Sequence, residues 1–221
     1  MFKNRKNSEN ARLNEVPAEM SRRMEQFFVE QLHTPLGSLA EAGTDEFEGL
    51  PTINSFSDLE KFLTDYRQKI LVTLELKTIV EAFFHCSLGR ARELIHLDAT
   101  LSKTADFRAF AGASRRAGCL QLRRLRPLKD HRVLQKYLRS VEESQAVGWH
   151  PIVYGIFLSV YSFPIREGLM HYCQQTIGGL VRRAGTSIGL TLEQMMELQN
   201  AQLASMPSQI EVLLPPSILV S

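Results

Sequence analysis

Trp149-His150-Pro151-Ile152-Val153-Tyr154-Gly155-Ile156-Phe157, continued by Leu158 to Phe163 and stopped by Pro164, is the stretch that decides the fold. It is mostly apolar and shows no period-two alternation, so it reads as an apolar helix over 150–163 rather than a strand. Pro151 fits the first helical position, where its missing N–H costs nothing. The longest apolar run, Ile152 to Pro164, is too short to span a bilayer.

Downstream of Pro164 a helix is expected from about Ile165 to Thr186. Gly178-Gly179 inside it costs roughly 1 kcal/mol per glycine against alanine, and the usual reason is close approach of another helix. Thr191-Leu192-Glu193-Gln194 reads as a capping box, opening a last helix to about Met206. Residues 207–221 contain three prolines and read as a tail, yet Val212, Leu213, Leu214, Ile218, Leu219 and Val220 are too apolar for a free one; it is expected to dock on something.

Upstream, Gly148 breaks a helix that Asp130 can cap and that carries Val133, Leu134, Tyr137, Leu138 and Val141. Before it, Asp106 can cap a helix with Phe107, Phe110, Ala111, Ala117 and Leu120, ending ahead of Pro127. A shorter helix holds Ala91, Leu94, Ile95 and Leu101. Ser57-Asp58-Leu59-Glu60 reads as another capping box. It opens a long helix whose stripe runs Leu59, Phe62, Leu63, Tyr66, Ile70, Leu74, Lys77 and Val80, with Gly89 at its stop. Residues 34–55, with Pro35, Gly37, Gly43, Gly49 and Pro51, form a loop; Pro17 begins a first helix through Met20, Met24, Phe27, Phe28 and Leu32. The expected architecture is all-α: a single helical-bundle domain of about eight helices over 17–206, a polar tail over 1–16 and a docking tail over 207–221.

Of the 221 residues 44% are hydrophobic and 23% charged, the balance of an ordinary globular protein and not of a disordered chain. The net charge of +2 is unevenly spread. Between Asp106 and Arg139 lie ten basic residues (Arg108, Arg115, Arg116, Arg123, Arg124, Arg126, Lys129, Arg132, Lys136, Arg139) and two acidic ones; the rest of the chain has 16 basic and 22 acidic, net −6. Such a segment is either a solvated helix face or a surface for an anionic partner, protein or nucleic acid. Cys86, Cys119 and Cys173 are odd in number and far apart, which is no disulfide framework and points to a reducing compartment. With no apolar signal region after Met1, the expected location is the cytoplasm.

Catalytic signals are missing. The histidines (His33, His85, His96, His131, His150, His171) and cysteines give one close pair, His85-Cys86, whose side chains diverge by about 100° on a helix and rarely chelate one ion. No phosphate loop, dinucleotide fingerprint or nucleophile elbow is present. Glu142-Glu143 read as a solvated face. An enzyme would have to draw on His150, His171 and Glu46; the bland reading of His150 is a helix-start histidine bonding backbone groups. No metal or cofactor is expected.

The segment Trp149–Phe157, with Phe163-Pro164-Ile165-Arg166-Glu167-Gly168-Leu169-Met170-His171-Tyr172, resembles the urease accessory protein F family. His150, Pro151, Tyr154, Gly155, Pro164 and Tyr172 match that family's His-Pro-x-x-Phe/Tyr-Gly helix and the helix after it. Leu74-Glu75-Leu76 with Val80-Glu81-Ala82 is similar to its Glu-Leu-Pro-x-x-x-x-Ala helix, with Lys77 in place of the proline. Ser114-Arg115-Arg116-Ala117-Gly118 resembles its Ser-Arg-x-x-Gly helix. Pro35-Leu36-Gly37-Ser38 is similar to the opening of its amino-terminal loop, with Glu46 at the loop's glutamate. Leu39, Glu41 and Thr44 depart from that loop, and Gly189–Met196 departs from the family's Pro-Leu-Gly-Gln-x-x-Gly-Gln segment.

The resemblance implies a non-catalytic, dimeric helical adaptor for nickel insertion into apo-urease. It would bind the D or H accessory protein and recruit and regulate the nickel-carrying GTPase G. The partner-binding candidates it suggests, with those drawn from the residues themselves, are Pro35, Gly37, Ser38, Glu46, Arg115, His150, Tyr172, Gly178, Gly179 and Gly189.

Overall fold

The computed structural model describes residues 52–215. The expected first helix from Pro17, most of the loop over 34–55 with Pro35, Gly37, Ser38 and Glu46, and the end of the docking tail lie outside the described residues. Within 52–215 every regular element is helical: α1 (Phe56–Tyr66), a π-helical stretch (Arg67–Leu76), α2 (Lys77–Ser87), α3 (Ala91–Leu101), a 3-10 turn (Ala105–Phe110), α4 (Ala111–Leu125), α5 (Arg132–Glu142), α6 (His150–Val160), α7 (Ile165–Ser187), α8 (Leu192–Leu203) and α9 (Met206–Leu213).

The decisive stretch is the centre of this arrangement. Every residue of α6 from His150 to Leu158 is buried, as a helix that is apolar all round requires. Burying Ile152, Ile156, Phe157 and Leu158 contributes about 1.5–3 kcal/mol apiece. α2 and α4 pack directly on α6. Gly155 sets the α2 contact: a Cβ there would fall 2.5 Å from the Ile79 carbonyl oxygen and 2.8 Å from Ala82 Cβ. α7, the longest of the described helices, carries α1, α8 and α9 on its flanks.

Several local expectations shift. The first cap is Ser55, not Ser57: Ser55 Oγ accepts the Asp58 amide at 3.2 Å, and Asp58 Oδ2 accepts the Asn54 amide at 3.3 Å. The serine two residues earlier wins because Asp58 can reach back to the amide preceding it. Asp106 does not cap α4; it lies in the 3-10 turn, and α4 begins at Ala111 with Phe110 at its N-cap position. Asp130 is likewise displaced, the N-cap position of α5 falling to His131 without a side-chain bond. Leu120 is 45% exposed and is not core. The capping box at Thr191 is present with both bonds, Gln194 N–H to Thr191 Oγ1 at 3.2 Å and Thr191 N–H to Gln194 Oε1 at 3.0 Å.

The stripe of the long helix breaks at the π-helical stretch. Tyr66 and Ile70 are buried as expected, but the buried positions then become Leu71, Glu75 and Leu76, while Leu74 is half-buried and Lys77 exposed. The i→i+5 bonding of a π-helix widens the turn, so the inward position after Ile70 falls on Glu75 instead of Leu74. The last expected helix is two: α8 stops at Leu203, and α9 takes up residues assigned to the tail. Met206, Ile210 and Leu214 are buried, and α9 packs on α7, α8 and the π-helical stretch. Arg166 clamps it from α7 through Glu211, Nε to Oε1 at 2.6 Å and Nη2 to Oε2 at 3.0 Å.

Candidate functional site

His150 begins α6, and three elements converge on its end of the helix. Asp98 of α3 is buried and its carboxylate accepts three hydrogen bonds: Tyr137 hydroxyl at 2.7 Å, Val147 amide at 2.8 Å and Gly148 amide at 3.0 Å. Trp149 Nε1 donates to Ser102 Oγ at 2.9 Å. Ser114 Oγ of α4 accepts the His150 amide at 3.1 Å, one of the helix-start donors that must find a partner when buried. One turn later Gly118 leaves room for the same loop; a Cβ on it would overlap the Gly148 carbonyl oxygen and stand 2.9 Å from His150 N. The Ser-Arg-Arg-Ala-Gly segment is thereby explained: Ser114 and Gly118 face the start of α6, and Arg115 and Arg116 face outward, exposed.

Inside the helices a polar cluster links four of them. The rings of His150 and Tyr172 stack at 5.4 Å and 27°, with the Tyr172 hydroxyl 3.4 Å from His150 Nδ1. Tyr154 sits edge-on to Tyr172 at 5.0 Å and donates to the Gly168 carbonyl at 3.0 Å. Glu75 is fully enclosed; its Oε2 accepts the Tyr66 hydroxyl at 2.6 Å, and the Tyr172 hydroxyl also bonds it. With the Tyr172 proton given to Glu75, the Tyr172 oxygen can accept Nδ1–H of a neutral His150.

Burial dominates the electrostatics. It lifts the Glu75 carboxyl to about 7, against the opposing effect of the Tyr66 and Tyr172 hydrogen bonds. It pushes the Cys173 thiol up to about 12, helped by the nearby Glu75 charge. It lowers His150 to about 3 and His171 to about 4, so both are neutral at physiological pH. Tyr66, Tyr154 and Tyr172 are held well above the usual phenol range for the same first reason. A neutral buried imidazole, unionised phenols and an inert thiol make a structural cluster. Of these groups, Tyr66 also lines a surface cavity of about 460 Å³, bounded by Ile53, Phe62, Lys69, Asp106 and Phe110 among others.

The sequence candidates divide accordingly. His150 and Tyr172 are brought together, inside the core. Gly178 and Gly179 are buried on α7, and Gly178 receives α8: a Cβ there would meet the Gln199 side chain at 2.9 Å. Arg115 is exposed beside this site without entering it. Gly189 is exposed just beyond the end of α7, with φ +74; at about 1.5 Å rise per residue, Ser187 already lies roughly 22 Å from Tyr172. Asp98 is no sequence candidate, and Glu75 enters only as the glutamate of the Glu-Leu-Pro-type motif, without a role. Asp98 had a signal, an acid placed on the apolar stripe Ala91, Leu94, Leu101; Glu75 had none in the 3.6-residue period.

The second candidate feature is the basic segment that runs through α4 and α5. All ten basic residues between Arg108 and Arg139 are exposed. Arg126 Nη2 pairs with Glu142 Oε1 at 2.8 Å, and Gln135 Nε2 donates to the Leu128 carbonyl at 2.9 Å, tying α5 to the connection that follows α4. The aromatic residues of this region, Phe107, Phe110 and Tyr137, are buried, so they offer no stacking surface. Among the described residues no three His, Cys, Asp or Glu side chains gather to hold a metal ion, and no helix is long and apolar enough to cross a membrane.

The UreF family model matches residues 53–186, from the start of α1 almost to the end of α7. No curated protein matches the chain.

Proposed function

Because the chain belongs to the UreF family of urease accessory proteins, we propose that it acts as a non-catalytic adaptor in nickel insertion into apo-urease. It binds the D or H accessory protein, recruits and regulates the nickel-carrying GTPase G, and works as a homodimer in the cytoplasm. The observation that carries this reading is the family match itself, which covers Glu75, the Ser114–Gly118 segment and the His150–Tyr172 cluster together. The cluster supports it: His150, Tyr154 and Tyr172 are buried and neutral, suited to holding a scaffold rather than to turning over a substrate.

In this reading Pro35, Gly37, Ser38, Glu46, Arg115 and Gly189 contribute partner contacts, while His150, Tyr172, Gly178 and Gly179 act through the core they build. The exposed basic segment on α4 and α5 meets an acidic protein surface. A second reading, nucleic-acid binding through 108–139, rests on the same exposed cations; the burial of Phe107, Phe110 and Tyr137 disfavours it, because single-stranded binding combines such charge with accessible aromatics.

Light scattering on the purified chain, alone and mixed with the D/H-type and G-type proteins of its own cell, tests the adaptor. A dimer that grows into a larger assembly with both is the expected result. A monomer that ignores both overturns it.

A further inference from the structure

Glu75 is enclosed at the end of the π-helical stretch, and among the described residues its charge state is set by burial and two phenols, with no cation contributing. Its partners are the phenols of Tyr66 on α1 and Tyr172 on α7, with the Cys173 thiol near and neutral His150 behind Tyr172. The other ionisable groups on the elements packed against the stretch are engaged or turned outward. Lys69 pairs with Asp65 at 2.9 Å. Lys77 lies 4.0 Å from Glu81. Asp58, Lys61, Asp106 and Arg108 are exposed, His85 lines a separate cavity beside α3, and Glu211 of α9 holds Arg166. His171 of α7 is neutral by burial.

Arg67, the first residue of the stretch, reaches the joint between α8 and α9. Its Nη1 donates to the Gln202 carbonyl at 3.2 Å and to Ser205 Oγ at 2.9 Å. Any change in the winding of the stretch therefore moves the group that ties down the carboxy-terminal helices. The sequence fits two windings. Continuous α-helical bonding carries the stripe from Ile70 to Leu74, an apolar residue; π-helical bonding carries it to Glu75. Long π-helical runs are rare, and short ones are frequent at functional sites.

We propose that a protonated Glu75 locks the π-helical stretch, and that its ionisation releases the stretch toward α-helical bonding, freeing Arg67 from the joint between α8 and α9. A neutral carboxyl is content among phenols, whereas a carboxylate without a cation gains by reaching water. Leu74 is the apolar residue placed to take over the inward position. Burial puts the titration in the neutral range, at about 7. The device is independent of which partners the chain binds; it makes the presentation of α8 and α9 depend on pH.

Hydrogen exchange read by mass spectrometry on the full chain, from pH 5 to pH 8 and corrected for the intrinsic exchange rate, tests it. The expected result is a joint loss of protection in 67–76 and 203–214, about tenfold per pH unit up to about pH 7 and level beyond, as one linked proton requires. Glu75→Gln keeps the low-pH pattern throughout. Arg67→Ala keeps the pH response of 67–76 but leaves 203–214 fast at every pH. A flat profile in the unaltered chain overturns the proposal, as does an unchanged profile in Glu75→Gln. If 203–214 still follows pH in Arg67→Ala, the link through Arg67 is wrong. Should Glu75→Gln fail to fold, the unaltered chain and Arg67→Ala still decide.

Discussion

The carboxylate of Asp98 accepts the Tyr137 hydroxyl at 2.7 Å across 39 residues of chain, and with its remaining capacity it takes the two amides that precede Trp149. One α3 side chain thus fixes both the inner face of α5 and the approach to α6. Asp98→Ala strands three donors. Each buried unsatisfied group costs about 1–3 kcal/mol, so a loss of about 3 kcal/mol or more is expected in urea unfolding. Tyr137→Phe removes one bond and is expected to lose only about 1–2 kcal/mol. Equal losses in the two variants would show that the loop amides find other partners.

The Ser114–Gly118 segment separates packing from surface within one turn of helix. Gly118→Ala drives a methyl into the Gly148 carbonyl and the His150 amide, which are backbone and cannot step aside. Overpacking of this kind costs about 1–3 kcal/mol or more. Gly178→Ala meets only the mobile end of Gln199 and gains roughly 1 kcal/mol of helix propensity, so it is expected to be close to neutral. Arg115→Ala is exposed and should fall within about 0.5 kcal/mol. Thermal unfolding of the three variants checks the order; a stable Gly118→Ala protein would contradict the close approach.

How far these features were legible depends on whether a local rule or a tertiary contact sets them. Thr191 and Gln194 satisfy each other within four residues, so their capping box can be read directly. Ser55 and Ser57 both precede suitable acids, and the choice between them turns on whether Asp58 reaches Asn54, a backbone detail that spacing does not contain. Leu74 fits the 3.6-residue stripe that the π-helical stretch displaces; nothing in the apolar pattern announces a change of hydrogen-bond register. Residues 207–221 read as an apolar tail seeking a surface. Its described part, through Leu214, lies on α7 and the π-helical stretch of its own chain, a choice that only the three-dimensional arrangement makes. Tyr172 and His150 were picked from a motif, but their stacking needed α6 and α7 to be seen side by side.

His150 gives stability a pH dependence with a definite sign. Its folded-state value, about 3, lies below the ordinary 6.5 because burial penalises the imidazolium. The unfolded chain therefore takes up the proton first as pH falls. The contribution is complete above pH 6.5 and is lost progressively toward pH 3, at up to about 1.4 kcal/mol per pH unit. Glu75 runs the other way: its folded value is raised from 4.5 to about 7, so its contribution is complete below pH 4.5 and declines up to about pH 7. Comparing urea unfolding of the unaltered chain with His150→Asn at pH 7, 6 and 5 isolates the first effect. The stability difference between them is expected to shrink as the pH falls. A constant difference would mean that the ring reaches water in the folded state.

The basic segment on α4 and α5 tests partner chemistry apart from folding. Arg115, Arg123, Lys136 and Arg139 are all exposed, so reversing their charge to glutamate should leave the thermal midpoint nearly unchanged. An acidic partner surface would feel the change at once. Association is expected to slow by about tenfold or more at low salt, and the difference from the unaltered chain should narrow as added salt screens the charges over about 10 Å at 0.1 M. Surface plasmon resonance with the immobilised D/H-type partner, at two salt concentrations, gives both numbers. The same four-site variant applied to a single-stranded oligonucleotide separates the two readings of the basic segment. A nucleic-acid surface would show a steep salt slope with the oligonucleotide and indifference to the protein partner. The burial of Phe107, Phe110 and Tyr137 argues for the opposite outcome, in which the oligonucleotide binds weakly and the protein partner is the one lost on charge reversal.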